Sequence, residues 1–210
     1  GEEKFLRIQN CHILLIGLGG VGGYAFEALI RSGIKNITIV DFDTFEVSNL
    51  NRQIYALQKT LGKNKCEMAF FRAREINPNV SIQIWNQRLT KEQITSEFLA
   101  PFDYVIDACD DVMVKSALFL QCAFEKKKLI SCMGTANRTH PEFLEITTLD
   151  KTYNDPLAKK IRNSFKSSSV LKTKVVWSRE RPVKQKKLGT ICSVPMSAGS
   201  LLASFVINDL

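Results

Sequence analysis

A glycine-rich turn near the N-terminus constrains the fold of this chain more than any other feature. The turn follows the continuous apolar run 11–17, typical of a buried parallel strand, and opens segment 21–33, whose apolar residues recur at helical spacing. Asp41 stands nineteen residues after Gly22, where the next strand is predicted to end. Such glycines let backbone N–H groups approach a phosphate, and such a carboxylate accepts hydrogen bonds from a ribose. The sequence therefore predicts a nucleotide site built on Gly17, Gly19, Gly20 and Gly22.

The elements that follow this turn alternate between strands and helices. We predict strands at 36–43, 80–84, 103–110 and 128–134, and helices at 63–76 and 112–126. Apolar strands alternating with helices are typical of a Rossmann-like, doubly wound α/β fold with a mainly parallel sheet. Beyond residue 135 we expect a strand at 143–149, a helix at 154–166, a loop or flexible connection over 164–187, and a final helix opened by Pro195.

The composition agrees with a single folded domain over residues 1–210. The chain is 45% hydrophobic and 24% charged, which excludes extensive disorder. No apolar run approaches the roughly 18 residues that a membrane-spanning helix needs, and the N-terminus does not resemble a signal peptide. The nearest two of the six cysteines, Cys122 and Cys132, are ten positions apart, which excludes a CxxC metal or redox pair. We therefore expect a cytoplasmic protein with reduced thiols and no membrane span.

The net charge of +8 is concentrated in one part of the chain. Segment 151–190 carries twelve Lys or Arg residues against two acidic ones, whereas the other 170 residues carry 17 basic and 19 acidic residues. We expect this segment to be a basic insertion within the domain that faces a polyanion, most simply a nucleic acid. The alternative from composition alone is a solvated, mobile, lysine-rich insertion.

The glycines alone would favour an NAD-dependent oxidoreductase, but four further features favour a triphosphate. A second carboxylate, Asp43, follows Asp41, and Lys65 lies on a helix from which a long cation can reach phosphates. Amide, hydroxyl and guanidinium groups cluster at Ser48, Asn49, Arg52 and Gln53. Carboxylates cluster at Asp107, Asp110 and Asp111, at the strand end where such sheets bind ligands and where oxygen atoms can hold Mg²⁺. Alternatively, Arg52 and Lys65 are solvated, and Asp110 caps the next helix.

The order GxGGxG, DFD, SNLNRQ, a lysine-bearing helix and DACDD resembles the ThiF/MoeB superfamily, which is related to the ubiquitin-activating enzymes. The resemblance covers residues 8–150 and implies that Mg-ATP is used to adenylate a carboxylate. It implies that Arg52 and Lys65 neutralise charge on the phosphates and that Asp110 holds the magnesium. It further implies ATP or metal contacts from Gly20, Asp41, Ser48, Asn49 and Asp111.

The second half of the chain resembles one branch of that superfamily. It lacks the paired CxxC motifs of the enzymes that activate ubiquitin-like sulfur carriers, whereas segments 150–166, 175–182 and 188–199 resemble the tRNA threonylcarbamoyladenosine dehydratases. This resemblance implies a homodimer that dehydrates and cyclises the threonylcarbamoyl group on the tRNA adenosine beside the anticodon. The alternative is adenylation of a sulfur-carrier protein, with sulfur-transfer proteins as partners. A nicotinamide oxidoreductase and a non-catalytic RNA-binding module are more distant alternatives.

The remaining candidate residues belong to the substrate side. Asn137 and Arg138 are candidates to hold the threonyl carboxylate or a tRNA phosphate, and His140 is a candidate to line the cleft. We expect three lysines of the basic segment to contact tRNA phosphates away from the nucleotide site: Lys184, Lys186 and Lys187.

Two further residues have roles that only the family resemblance suggests. Family members carry an N-terminal arginine that enters the neighbouring subunit's ATP site. Because this chain begins just after the corresponding position, either that segment is missing or Arg7 takes its place. Cys192 is a candidate nucleophile by analogy with the carrier-activating enzymes, although the sequence favours a structural role for it.

Overall fold

The computed structural model describes residues 1–166 and 168–210 and contains one seven-stranded sheet. The strands are β1 (His12–Ile16), β2 (Asn36–Val40), β3 (Ser81–Trp85), β4 (Tyr104–Asp107), β5 (Lys128–Cys132), β6 (Leu144–Thr148) and β7 (Lys174–Ser178). Their order across the sheet is β3-β2-β1-β4-β5-β7-β6, and all neighbours are parallel except the antiparallel pair β6–β7. The predicted mainly parallel, doubly wound sheet is confirmed.

Eight α-helices accompany the sheet among the described residues. They are α1 (Glu2–Asn10), α2 (Gly22–Arg31), α3 (Lys65–Ile76), α4 (Ser96–Leu99), α5 (Val112–Phe124), α6 (Pro156–Asn163), α7 (Ser168–Leu171) and α8 (Ser193–Asp209). Helix α1 is an addition to the predicted elements, and α8 contains Pro195 in its first turn, as expected. None of these helices is long and apolar enough to cross a membrane.

Both faces of the sheet are covered because every second residue of a strand points to the same side. Ile13 and Leu15 of β1 pack into one core with residues of α2, α3 and α8. Leu14 and Ile16 pack into the opposite core with residues of α5, α6 and α7. This arrangement explains why β1 is apolar at successive positions, and it leaves the carboxyl ends of β1, β2, β4 and β5 at one open edge.

The prediction of a loop over residues 164–187 is wrong for the central part of that segment. Helix α7 and strand β7 lie within it, and β7 pairs with β5 on one side and β6 on the other. Lysine and serine dominate the composition around β7, but Val175 and Val176 are fully buried. A short apolar run is enough to specify a strand at an interior position, because both of its faces are buried.

Candidate nucleotide and substrate site

A large cavity of about 1690 Å³ lies at the open carboxyl edge of the sheet. One wall contains residues of the glycine turn and of segments 40–44, 48–53 and 108–111. The other contains residues of segments 132–138 and 155–157 and of residues 182–190, which we call the cover loop. The nucleotide candidates and part of the basic segment therefore share one cavity.

The glycine turn is packed so closely that side chains do not fit at two of its positions. Gly17 has a φ of +88°, and a Cβ atom there would lie 2.8 Å from the carbonyl oxygen of Ala108. A Cβ atom on Gly22 would lie 1.8 Å from the oxygen of Gly17. The backbone N–H of Leu18 donates to Asp41 Oδ2 at 2.6 Å, so this buried carboxylate anchors the turn while it also lines the cavity. Asp41 therefore lies at the cavity wall, and its expected contact with a ribose stays a prediction.

Lys65 reaches the cavity from the first turn of α3. Asn64 caps this helix by accepting a hydrogen bond from the N–H of Glu67 at 3.2 Å, which fixes where the helix begins. The Lys65 side chain is buried, and its Nζ lies 2.7 Å from Asp43 Oδ2. Asp43 thus holds the lysine cation at the cavity wall, in the region where phosphates are expected.

The segment from Ser48 to Gln53 supplies a guanidinium and several amides. Arg52 Nη1 donates to the Ser48 carbonyl oxygen at 2.7 Å and to Asn51 Oδ1 at 3.0 Å. Asn49 is buried and accepts a hydrogen bond from the N–H of Glu46 at 3.2 Å. Gln53 is also buried, and its Oε1 has no hydrogen-bond partner among the described residues. Because an unsatisfied buried acceptor destabilises a structure by about 1–3 kcal/mol, a bound donor such as a nucleotide fits this position.

The carboxylate cluster after β4 separates into different environments, and the expectation that Asp107 shares a metal site is wrong. Asp107 is fully buried and forms an ion pair with Lys115, with 2.6 Å between Oδ2 and Nζ. Ser131 Oγ donates to the same carboxylate oxygen at 2.6 Å. The strand places Asp107 inside the protein, beneath the cavity, so its role is structural.

Asp111, and not Asp110, caps helix α5. Asp111 Oδ1 accepts hydrogen bonds from the N–H groups of Val114 and Met113, and these bonds lower the pKa of its carboxyl group. The alternative that Asp110 is the cap is therefore wrong. Asp110 is exposed, lines the cavity, and has no hydrogen bond or ion pair with the described residues. Its carboxylate is free to bind a cation.

On the substrate side, Arg138 organises the walls of the cavity from inside. Its side chain is only 1% exposed, and it forms an ion pair with Asp155, which caps α6, at 3.2 Å. Arg138 also donates to the carbonyl oxygens of Gly134, Asn154 and Glu180, and thereby joins three segments. Its expected contact with substrate stays a prediction, but its guanidinium is already engaged within the protein.

Asn137 and Asn51 hold the cover loop over the cavity. Asn137, with a φ of 59°, exchanges hydrogen bonds of 2.7 Å with Gly189, and Asn51 Nδ2 donates to the Thr190 oxygen at 2.8 Å. The expectation that the three cover-loop lysines lie away from the nucleotide site is wrong for Lys184, which lines the same cavity as Gly17. Lys186 and Lys187 are exposed and do not line it.

His140 and Cys192 do not line the cavity. His140 is exposed, and its ring nitrogen lies 2.8 Å from Glu142, whose hydrogen bond raises the pKa of the imidazole. Cys192 lies 3.1 Å from the hydroxyl of Tyr24, at the start of α8. Their positions favour structural roles.

The sequence reasoning missed Asn51 and Asp155 as contributors to the site. Asn51 stands in the polar run that the sequence singled out, so its residue type was a usable signal. Asp155 precedes Pro156 and a helix, which is the pattern of a helix cap. The contacts of both residues with distant segments have no local signal.

Comparison with known proteins identifies the family. The ThiF family model matches residues 1–208. The tRNA threonylcarbamoyladenosine dehydratase of Bacillus subtilis is 33% identical over all of this chain and 91% of its own length, and that of Escherichia coli is 36% identical over 94% and 77%. The crystal structure of the Escherichia coli tRNA N6-threonylcarbamoyladenosine dehydratase in complex with ATP superposes with a TM-score of 0.94 at 34% identity, covering 100% of this chain and 89% of that one. The chain belongs to the ThiF family, in its group of tRNA threonylcarbamoyladenosine dehydratases.

Proposed function

We propose that this protein uses ATP to dehydrate and cyclise the threonylcarbamoyl group on the tRNA adenosine next to the anticodon. The observation that carries the proposal is that one cavity contains both the nucleotide candidates and part of the basic segment. The cavity is large enough to bind a nucleotide on the first wall and a substrate carboxylate on the second. Binding both reactants in one cavity supplies the proximity and orientation that the first step needs.

The first step activates a poor electrophile. A carboxylate resists attack because its leaving group would be oxide. An oxygen of the threonyl carboxylate attacks the α-phosphorus of ATP, and the bond to pyrophosphate breaks. Arg52 and Lys65 stabilise the negative charge on the phosphates, and Asp43 holds Lys65 in place for that purpose.

The second step closes the ring. The carbamoyl oxygen or nitrogen of the same side chain attacks the acyl carbon, the carbamoyl group loses a proton, and AMP leaves. The oxygen lost from the carboxylate departs on AMP, so the nucleoside loses one water. Because the attack is intramolecular, the reaction needs no enzyme nucleophile, in agreement with the position of Cys192 outside the cavity lining.

Asp110 is the residue that we propose as the magnesium ligand. The described residues contain no group of three or more His, Cys, Asp or Glu side chains that could hold a metal ion alone. Mg²⁺ bound with nucleotides usually takes one or two carboxylates together with phosphate oxygens and water. A single free carboxylate at the cavity wall fits that requirement. When bound, the metal would neutralise charge on the phosphates.

We propose a homodimer as the functional assembly and the cytoplasm as its location, since the substrate is tRNA. The neighbouring apolar side chains of Phe5 and Leu6 are exposed on α1, and Phe71 is exposed on α3; apolar side chains left exposed in this way support contact with a second copy. Arg7 is exposed on α1 as well, so it is available to a neighbouring subunit. Light scattering of the purified protein tests the assembly.

The decisive experiment is incubation with threonylcarbamoyl-modified tRNA and Mg-ATP, followed by mass spectrometry of the nucleosides. We expect the modified nucleoside to lose one water, with AMP and pyrophosphate formed in equal amounts. Unmodified tRNA is the control and should yield no AMP. Pyrophosphate exchange that depends on a diglycine-ended carrier protein, without any change to the tRNA, would establish the alternative function.

A further inference from the structure

The cover loop is fastened by two asparagines. Among the described residues, four hydrogen bonds hold residues 182–190, and each involves Asn137 or Asn51. Asn137 exchanges two of them with Gly189 and accepts a third from the N–H of Val183 at 2.9 Å. Asn51 donates the fourth to the carbonyl oxygen of Thr190. The position of the loop over the cavity therefore depends on the side chains of Asn51 and Asn137 and on the backbone of Asn137.

Burial contributes little to holding the cover loop. Residues 183–189 are all exposed, and Leu188 is 83% exposed. A net contribution of about 0.5–1.5 kcal/mol is typical of one hydrogen bond, so four of them form a modest restraint. Segments with few buried apolar contacts open at low free energy. A ligand that binds this loop can consequently change the fraction of molecules in which its four hydrogen bonds are formed.

Asn51 also contacts Arg52, which lies on the nucleotide side of the cavity. Its Oδ1 accepts from Arg52 Nη1 at 3.0 Å, while its Nδ2 donates to the cover loop. One carboxamide thus lies between the cover loop and the guanidinium that we place on the phosphates of ATP. When the hydrogen bonds of the cover loop are formed, both the oxygen and the nitrogen of the Asn51 carboxamide have a hydrogen-bond partner, and this fixes the orientation of the side chain. Arg52 then has a fixed acceptor beside it.

Building on the function proposed above, we infer that Asn51 is a positioning residue that couples tRNA binding to ATP binding. The loop carries Lys184, Lys186 and Lys187, which attract tRNA phosphates, and tRNA bound there favours the fastened loop. The fastened loop orients Asn51 and, through it, Arg52. Each ligand therefore binds more tightly when the other is present, and linkage requires the same factor in both directions.

The coupling factor is measured with α,β-methylene-ATP, which cannot transfer AMP. Its dissociation constant is determined with and without saturating threonylcarbamoyl-modified tRNA, and that of the tRNA with and without the analogue. For the wild-type protein we expect at least about fivefold tightening in both directions. Asn51→Ala should bring the factor close to one. Asn36→Ala is the matched control. Like Asn51, Asn36 donates a hydrogen bond from its side-chain amide to a backbone carbonyl oxygen, that of Gln9 at 3.1 Å, but Asn36 does not line the cavity.

Asn51→Asp separates coupling from a structural effect. It keeps an acceptor for Arg52 but loses the donor to Thr190. The added negative charge weakens binding of the analogue alone, but the coupling factor is a ratio of affinities measured in the same variant, and we expect that ratio to fall towards one. A coupling factor unchanged in both Asn51 variants, or absent from the wild-type protein, would overturn the inference. Wild-type dehydration is measured in parallel. If dehydration fails, the proposed function is wrong, whereas intact dehydration without coupling rejects only the role of Asn51.

Discussion

Replacing Lys115 with methionine tests the buried ion pair beneath the cavity. The side chains of Lys115 and Asp107 are both 0% exposed, and their charged atoms lie 2.6 Å apart. Lys115→Met keeps most of the side-chain volume but leaves the Asp107 carboxylate without a cation. Removing one partner of a buried pair typically destabilises a protein by about 3–5 kcal/mol, and we expect a loss of that size in the free energy of unfolding.

Urea denaturation followed by circular dichroism measures this loss, with Asp107→Leu and the double variant as companions. Either single variant leaves one buried charge, whereas the double variant leaves none. We therefore expect the double variant to be more stable than either single variant. The reasoning is refuted if Lys115→Met unfolds within about 1 kcal/mol of the wild type, or if the two single effects add in the double variant.

The pH dependence of the destabilisation by Lys115→Met tests whether Lys115 is charged in the folded protein. Burial opposes the charged form, but the Asp107 carboxylate outweighs this effect and raises the pKa of Lys115 above its ordinary value of 10.5. With a raised pKa, the stabilisation is complete below the ordinary value and is lost only as pH rises through the higher folded value. The destabilisation by Lys115→Met should therefore be equal at about pH 7 and about pH 9. A smaller effect at the higher pH would contradict the assignment.

Four further variants test the site itself. Asp110→Asn should abolish AMP formation while the free energy of unfolding stays within about 0.5 kcal/mol of wild type, as compared by activity assay and urea denaturation. Arg52→Ala should lower the single-turnover rate more than the ATP affinity, whereas weakened ATP affinity with an unchanged rate would indicate uniform binding instead. The double variant Lys186→Ala, Lys187→Ala should bind tRNA more weakly, with its ATP affinity unchanged. The slope of the logarithm of its tRNA association constant against the logarithm of salt concentration should become shallower by about 0.7–0.9 for each lost phosphate contact. Lys184→Ala should weaken ATP binding as well, because this lysine lines the cavity; isothermal titration separates the two cases.

Local patterns were sufficient to predict the central part of the fold. The apolar runs of β1, β2, β4 and β5 are visible in the sequence because these interior strands are buried on both faces. Strand β7 was missed because its apolar core is short and its flanks are rich in lysine and serine. Its assignment depends on pairing with β5 and β6, which no local pattern reveals.

The same limit applies to the site. The sequence predicted which residue types gather at the carboxyl edge, because parallel strands bring their carboxyl ends together. It did not separate the environments of Asp107, Asp110 and Asp111, because these depend on where β4 ends and where α5 begins. The cover loop reaches the nucleotide side through a contact between positions 139 residues apart, Asn51 and Thr190.

The charge of the basic segment also needs the structure before it can be interpreted. Three of its twelve basic side chains are engaged within the protein. Arg162 donates to Thr152, and ion pairs join Lys172 to Asp150 and Arg179 to Glu145. In the part of the chain that the structure describes, the other nine have no ion pair or side-chain hydrogen bond: Lys151, Lys159, Lys160, Lys166, Lys174, Arg181, Lys184, Lys186 and Lys187. Cations without a partner inside the protein can neutralise tRNA phosphates without first breaking an ion pair, so we expect these nine to contribute most of this segment's share of the salt dependence of binding.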